Sequence, residues 1–295
     1  MSQSFVLTET RGAVAVVTLN RPGRFNAIVP PMPDLISGAI EAANRDPKVR
    51  VILLQGAGDS FCAGFDFSGG LAHFDGFGIP TAEGRYDIGA DMANCFSPWT
   101  APTQHFMAIW RSPKPVVVKV QGWCLGGGSE YALLGDIVIA AEDARFGTPY
   151  ARVWGCHLTG AWVYRLGLAR AKHYALTGRS VSGKEAAAIG LINEAHPLER
   201  LEEKVWAYLD DLVRIPASQL AAMKFVVNQV YDRAGIEHTA MMGPVLDAIM
   251  RNTPEADAFV RLAEEKGVGA AVAGRDGPFG DYSQGAPELK PRFAR

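Results

Sequence analysis

A chain of 295 residues, 48% hydrophobic and 20% charged, is long enough to bury a substantial core. Its 29 Lys+Arg against 31 Asp+Glu leave a formal net charge of -2, a field that draws neither duplex nucleic acid nor an anionic membrane, so neither is expected as a partner. Cys62, Cys95, Cys124 and Cys156 show no CxxC spacing and read as buried free thiols, with no metal site expected. The opening MSQSFVLTETRG carries no basic cluster followed by an apolar stretch, and no apolar run approaches ~18 residues, which places the chain in the cytoplasm as an expectation.

In chain order, AVAVVTLNRP (13 to 22) predicts a buried strand ended by a turn, MPDLISGAIEAANRD (32 to 46) a helix, and VRVILLQGAG (49 to 58) another strand, so the chain starts as a βα repeat. After a Gly- and Phe-rich stretch, PVVVKVQG (115 to 122) is a strand, the glycine run of GWCLGGGSEY (122 to 131) follows, SEYALLG opens a short helix, and DIVIAAE (136 to 142) is a strand. Helical spacing returns over 182 to 190, 201 to 214, 217 to 232 and 244 to 265. From 267 to 295 Gly and Pro punctuate and no period survives, which predicts an irregular tail.

Three adjacent glycines lose much conformational entropy on folding, so backbone must approach something closely there. A P-loop would need GxxxxGK[ST], a dinucleotide fingerprint GxGxxG after the first strand of a βαβ unit, and a nucleophile elbow GxSxG; GGGSEY satisfies none of them. What remains is a helix N-terminus whose bare N–H groups face a developing negative charge. A second such amide is offered by SFCAGFDF (60 to 67), the turn directly after the strand VRVILLQGAG.

Taken in order, NRPGRFNAI (20 to 28), FCAGFDF (61 to 67), KPVVVKVQGWCLGGGSEYALLGDIVIA (114 to 140), ARFGTP (144 to 149) and LTGRSVSGKEAAAIGLINEAHP (176 to 197) resemble the enoyl-CoA hydratase/isomerase family, the crotonases. The resemblance implies an α/β fold, a crotonase-like spiral of ββα units, with a core over 1 to 200 and a helical C-terminal region over 201 to 266 that mediates trimerisation, as a homotrimer or homohexamer. It implies an acyl-CoA thioester as substrate, with coenzyme A entering as part of it and no tightly bound cofactor. The thioester oxygen would accept hydrogen bonds from the amides of Phe65 and Gly127, with Gly126 and Gly128 letting the thioester lie against bare backbone. One such donor contributes ~3 to 4 kcal/mol to the transition state. CoA itself would run along Ala63, Gly64, Phe65, Asp66, Phe67 and Ser68, with Arg24 and Phe25 near its nucleotide. Arg24 could meet a phosphate, and Asp66 is equally a cap on the following turn.

The acids decide the reaction. In hydratases of that family two glutamates flank the double bond and position water, and the first falls on Glu130, three residues past Gly127 and so on the same side of its helix. The competing reading is a glutamate favoured by the helix dipole. At the second position the pattern breaks: after ARFGTP stands Tyr150 and then Ala151, and neither register supplies an acid. Tyr150 could hold a water or donate its phenolic proton, or simply fill an apolar wall. His157, close by in sequence, is either catalytic or a satisfied structural histidine.

The connection 68 to 110, with Phe74, Phe77, Tyr86, Phe96, Trp99, Phe106 and Trp110, is long enough to be a binding loop that walls the acyl group, with Asp87, Asp91 or His105 as polar contacts, or an inserted helix pair with its own core. The resulting expectation is an enoyl-CoA hydratase. An isomerase, carbon–carbon hydrolase or decarboxylase on the same fold is the runner-up, and a non-catalytic acyl-CoA-binding subunit the rival of another class.

Overall fold

The computed structural model describes residues 4–68, 81–82, 85–97 and 102–282. Phe74, Phe77 and Trp99 lie outside the described residues, as does everything after Tyr282.

The strands are β1 (Val6–Arg11), β2 (Val14–Leu19), β3 (Val51–Gly56), the short pair β4 (Thr81–Ala82) and β5 (Arg85–Tyr86), β6 (Val116–Val120), β7 (Trp123–Leu125), β8 (Ile137–Ala141), β9 (Arg145–Gly147), β10 (Val181–Ser182) and β11 (Glu194–His196). Six form one sheet in the order β1-β2-β3-β6-β8-β11, antiparallel at β1–β2 and parallel beyond it. Its middle strands, VILLQG and VVVKV, are near-continuous apolar runs because helices or a second sheet cover both of their faces. The edge strand β1, VLTETR, is exposed along most of its length, and its polar alternation suits an edge. A smaller sheet, β10-β9-β7, lies beside the first and carries the glycine run at its end.

Helices α1 (Pro31–Arg45), α2 (Ile88–Cys95), α3 (Pro102–Arg111), α4 (Gly127–Leu133), α5 (Ala161–Thr177) and α6 (Gly183–Ala188) alternate with the strands. The C-terminal third is α7 (Leu198–Leu212), α8 (Ala217–Ala234), α9 (Ile236–Met250), α10 (Pro254–Lys266) and α11 (Val268–Asp276). The single helical stretch expected over 244 to 265 is thus two helices. Thr253 caps the second by accepting from the Ala256 amide, and Pro254 occupies its first turn, where a missing N–H costs nothing.

Over its described part, 267–282, the irregular tail expected to 295 is corrected by α11 and the 3-10 turn Gly277–Phe279. Weak periodicity hid this helix, whose anchors are tertiary. Ala271 packs in a small core with Phe259 and Ala263 of α10 and with Trp154. Asp276 is fully buried against Arg152, 3.2 Å away, and Tyr282 donates its hydroxyl hydrogen bond to the Gly178 carbonyl at 2.8 Å. Among the described residues no helix is long and apolar enough to cross a membrane.

Candidate active site

The turn after β3 is clamped from both sides by backbone. Ala63 donates to the Phe25 carbonyl at 3.0 Å and Asp66 to the Ile28 carbonyl at 3.0 Å, while Ile28 donates to the Gly64 carbonyl at 2.8 Å. On the other side Cys62 donates to Trp123 and Leu125 to Cys62, both at 2.9 Å. Phe65 therefore sits in a parallel bridge opposite Ile28. Successive N–H groups of an extended strand alternate sides, which turns the Phe65 N–H away from Ile28.

Each glycine of the run has its own reason. Gly126 holds φ at +49°, a left-handed value that disfavours any side chain, and it is the N-cap of α4. Gly127 is the first residue of that helix, where an N–H finds no acceptor within the helix. A Cβ there would stand 2.8 Å from the Phe65 ring, so the ring and the helix start are in contact. Gly128 corrects an expectation: a Cβ on it would strike the Cys62 backbone and side chain, so its bareness serves internal packing rather than a ligand.

Phe65 and Gly127 line one cavity of about 710 Å³ together with Arg24, Phe25, Ala63, Asp66, Phe67, Ser68 and Tyr150. Every sequence-chosen binding residue is thus at this cavity. Asp66 is also a turn cap: its Oδ1 accepts from the Ser68 amide at 2.9 Å, and its Oδ2 meets Arg21 at 3.0 Å. Burial pushes its carboxyl up, and the Ser68 hydrogen bonds and Arg21 more than offset that, so the group stays below the usual carboxylate range.

Glu130 lies one layer behind this wall. It is wholly buried, and its carboxylate accepts from the Leu158 amide at 3.0 Å, the Thr159 amide at 3.1 Å and the Thr159 hydroxyl. Leu158 is the residue that faces the cavity. A carboxylate offers about four acceptor positions, so three protein donors leave one. His157 stands between wall and core as well, its Nδ1 4.0 Å from Glu130 Oε1 and its Nε2 3.2 Å from the Thr148 hydroxyl. Burial lowers its pKa and the Glu130 charge only partly restores it, which favours neutral imidazole.

Tyr150 presents a buried hydroxyl that finds no partner among the described residues, 3.7 Å from where a Gly126 side chain would begin. Burial first, and then the charge of Glu130, hold its phenol well above the usual range, so it stays protonated and can donate but not accept a proton at neutral pH.

Within the long connection the polar candidates separate. Asp91 lines the cavity, whereas Asp87 caps α2 by accepting from the Ala90 amide at 3.0 Å, and His105 faces Ser37 at 3.0 Å and Asp34 at 3.0 Å on α1. Of the aromatics there, Phe106 is buried against Tyr131, Trp110 donates to Asp232 at 2.9 Å and Phe96 is half exposed. Sequence reasoning missed Asp247 and Arg251 at the end of α9, the α11 face of Val268, Val272 and Arg275, and Tyr282, all of which line the same cavity. The Asp247/Arg251 spacing of four was a readable helix ion pair, but nothing local says which way it faces.

The fold itself is that of the crotonases. An enoyl-CoA hydratase structure from Mycobacterium smegmatis superposes with a TM-score of 0.86 at 36% identity, covering 96% of this chain and 97% of that one. The profile of the family described as "Enoyl-CoA hydratase/isomerase" matches residues 9–261, and the chain belongs to that family. It is 32% identical to a probable enoyl-CoA hydratase of Rhodobacter capsulatus over 76% of this chain and 81% of the relative. A 1,2-epoxyphenylacetyl-CoA isomerase of Escherichia coli is 31% identical over 76% and 82%.

Proposed function

We propose that this acyl-CoA-processing enzyme hydrates a 2-enoyl-CoA, with the backbone amides of Phe65 and Gly127 receiving the charge that develops on the thioester oxygen. The observation that carries this is the contact of the 62–66 turn with the start of α4 at one cavity, two main-chain segments held by reciprocal backbone hydrogen bonds and lined by the expected CoA residues. In the reaction, water oxygen bonds C3, the C2=C3 electron pair passes toward the thioester, and the resulting enolate takes a proton at C2. Glu130 lies one layer behind the wall, and its remaining acceptor position is assigned to take the proton through a water lodged between it and the cavity, and to return it. Tyr150 would hold that water or donate toward it in place of a second carboxylate.

An isomerisation is the second reading, favoured by the same Tyr150: one base beside an oxyanion site suffices to move a proton within an acyl chain, and a protonated phenol cannot be the second base. The deciding experiment follows loss of enoyl-thioester absorbance with short, long, branched and cyclic 2-enoyl-CoAs, in wild type and Glu130→Gln. Hydration of a member, slowed ~100-fold or more in the variant, is expected. No decay with any member refutes the hydratase assignment.

Self-assembly is proposed for α8. Leu220 is its sole buried residue, while Met223, Val226, Val227 and Val230, at i, i+3, i+4 and i+7, are each more than half exposed, a face that suits a second copy of the chain. Light scattering should then give a trimer or hexamer.

A further inference from the structure

The cavity holds a buried charge cluster far along the chain from the glycine run. Arg251 donates through one terminal nitrogen to Asp247 and through the other to Asp91 Oδ2 at 2.5 Å, and Asp91, Asp247 and Arg251 are 0%, 9% and 7% exposed. All three line the cavity, beside Cys95, Thr103 and Pro244. Two carboxylates share one guanidinium, so the fully ionised cluster carries one net negative charge in a wall that is otherwise largely apolar. Bracing α2 on α9 would not require these groups to face the cavity; an apolar contact would do so at lower desolvation cost.

Tyr150 relates this cluster to the thioester site. Its hydroxyl lies near Gly126, whereas its ring edge and Asp247 Oδ1 meet over Gly155, whose Cβ, if present, would be 3.1 Å from the one and 2.7 Å from the other. Asp247 thus lies toward the Cγ end of the Tyr150 ring, away from the hydroxyl that neighbours Gly126. The carboxylates retain acceptor capacity: Asp91 Oδ1 meets the weak thiol donor of Cys95 at 3.8 Å, and Asp247 accepts from Arg251 and the Cys156 backbone out of about four positions.

We infer that this cluster is a recognition subsite for an acyl group that carries a hydroxyl at its distal end, an inference that rests on the acyl-CoA reading of the same cavity. A hydroxyl can donate to Asp247, whose side chain keeps 12% of its surface, with Asp91 holding Arg251 from behind, and it is cheap to desolvate. A distal carboxylate would meet net negative charge. A distal ammonium would lose its hydration for attraction to one shared charge. A plain alkyl end would leave the cluster dehydrated with no partner in exchange.

The test is calorimetric binding of saturated thioesters to the full chain: hexanoyl-CoA, 4-hydroxybutanoyl-CoA, 6-hydroxyhexanoyl-CoA, adipoyl-CoA and 6-aminohexanoyl-CoA. A hydroxylated member is expected to bind at least ~10-fold more tightly than hexanoyl-CoA, with the adipoyl ester weakest. Asp247→Asn and, separately, Asp91→Asn should shrink that ratio while binding of hexanoyl-CoA holds, which a merely structural ion pair would not do. Tightest binding of the hexanoyl, adipoyl or aminohexanoyl ester overturns the subsite, as does a ratio that neither variant changes. Selective hydroxyacyl binding without turnover of any enoyl-CoA would keep the subsite and refute hydration; hydration with equal binding of all five would do the reverse.

Discussion

The two ends of the cavity are built from different materials. Near the glycine run the proposed ligand-facing groups are main-chain amides of Phe65 and Gly127, placed by a ladder of backbone hydrogen bonds among residues 25–28, 62–66 and 123–125. At the far end they are the side chains of Asp91, Asp247 and Arg251, brought together from α2 and the end of α9. A backbone-built end presents dipoles that need no counter-charge and tolerates change only where no Cβ intrudes. A side-chain-built end holds ionised groups whose cost is met by one another, so it can be retuned by single substitutions. Chemistry common to a family belongs on the first kind of wall and selectivity on the second.

The sharpest way to break this contrast is Gly127→Val. Its branches would drive into the Phe65 ring and Ile28, already 2.8 and 3.0 Å from the position of a Cβ, and displace the amide. A fall in kcat of ~100-fold or more is expected in the enoyl-thioester assay, and an unaffected rate would remove Gly127 from the chemistry.

Next comes the C-terminal wall. The Arg152 side chain is 2% exposed and joins Asp276 and Asp281, with its guanidinium 4.1 Å from the Phe279 ring centroid. Arg152→Met should cost about 3 kcal/mol in denaturant unfolding and weaken acyl-CoA binding, because α11 lines the cavity. Retained affinity would show that α11 is a bystander.

Tyr150→Phe is a smaller and cleaner probe. The hydroxyl has no partner among the described residues, so unfolding free energy should stay within about 1 kcal/mol of wild type while kcat drops ~10-fold or more if the phenol organises water. Equal kcat would assign Tyr150 to the wall alone.

The smallest expected effect is a pH dependence. His157 has its pKa lowered by burial, so the unfolded chain binds the proton more readily than the folded one. Stability is then lost as pH falls below the ordinary value of 6.5 toward the lowered one. His157→Gln should flatten that part of the stability-pH curve, and an unchanged slope would place its cause in another group.

Much of the molecule could be read before any coordinates. The buried strands at 14–19, 51–56, 116–120 and 137–141 follow from apolar runs, and the helix after the glycines from its short periodic segment. The residues from Arg24 to Ser68 and Gly127 that line the cavity were picked out by the family resemblance, and it could be recognised because a bare N-cap and a tight turn leave a mark in consecutive residues.

What the tertiary structure decided has a common cause. Glu130 was placed beside Gly127 by its helix, but only the chain 28 residues further on, with its amides at 158 and 159, covers the carboxylate and sets it behind Leu158. Helix α11 forms where local periodicity is weak because Arg152, Gly178 and α10 receive it, and Arg251 reaches across 160 residues to Asp91. Sequence determines where the backbone must be bare and which stretches must be buried, since both are local requirements. Which charged side chains share a cavity depends on packing between distant elements, and no local pattern records it.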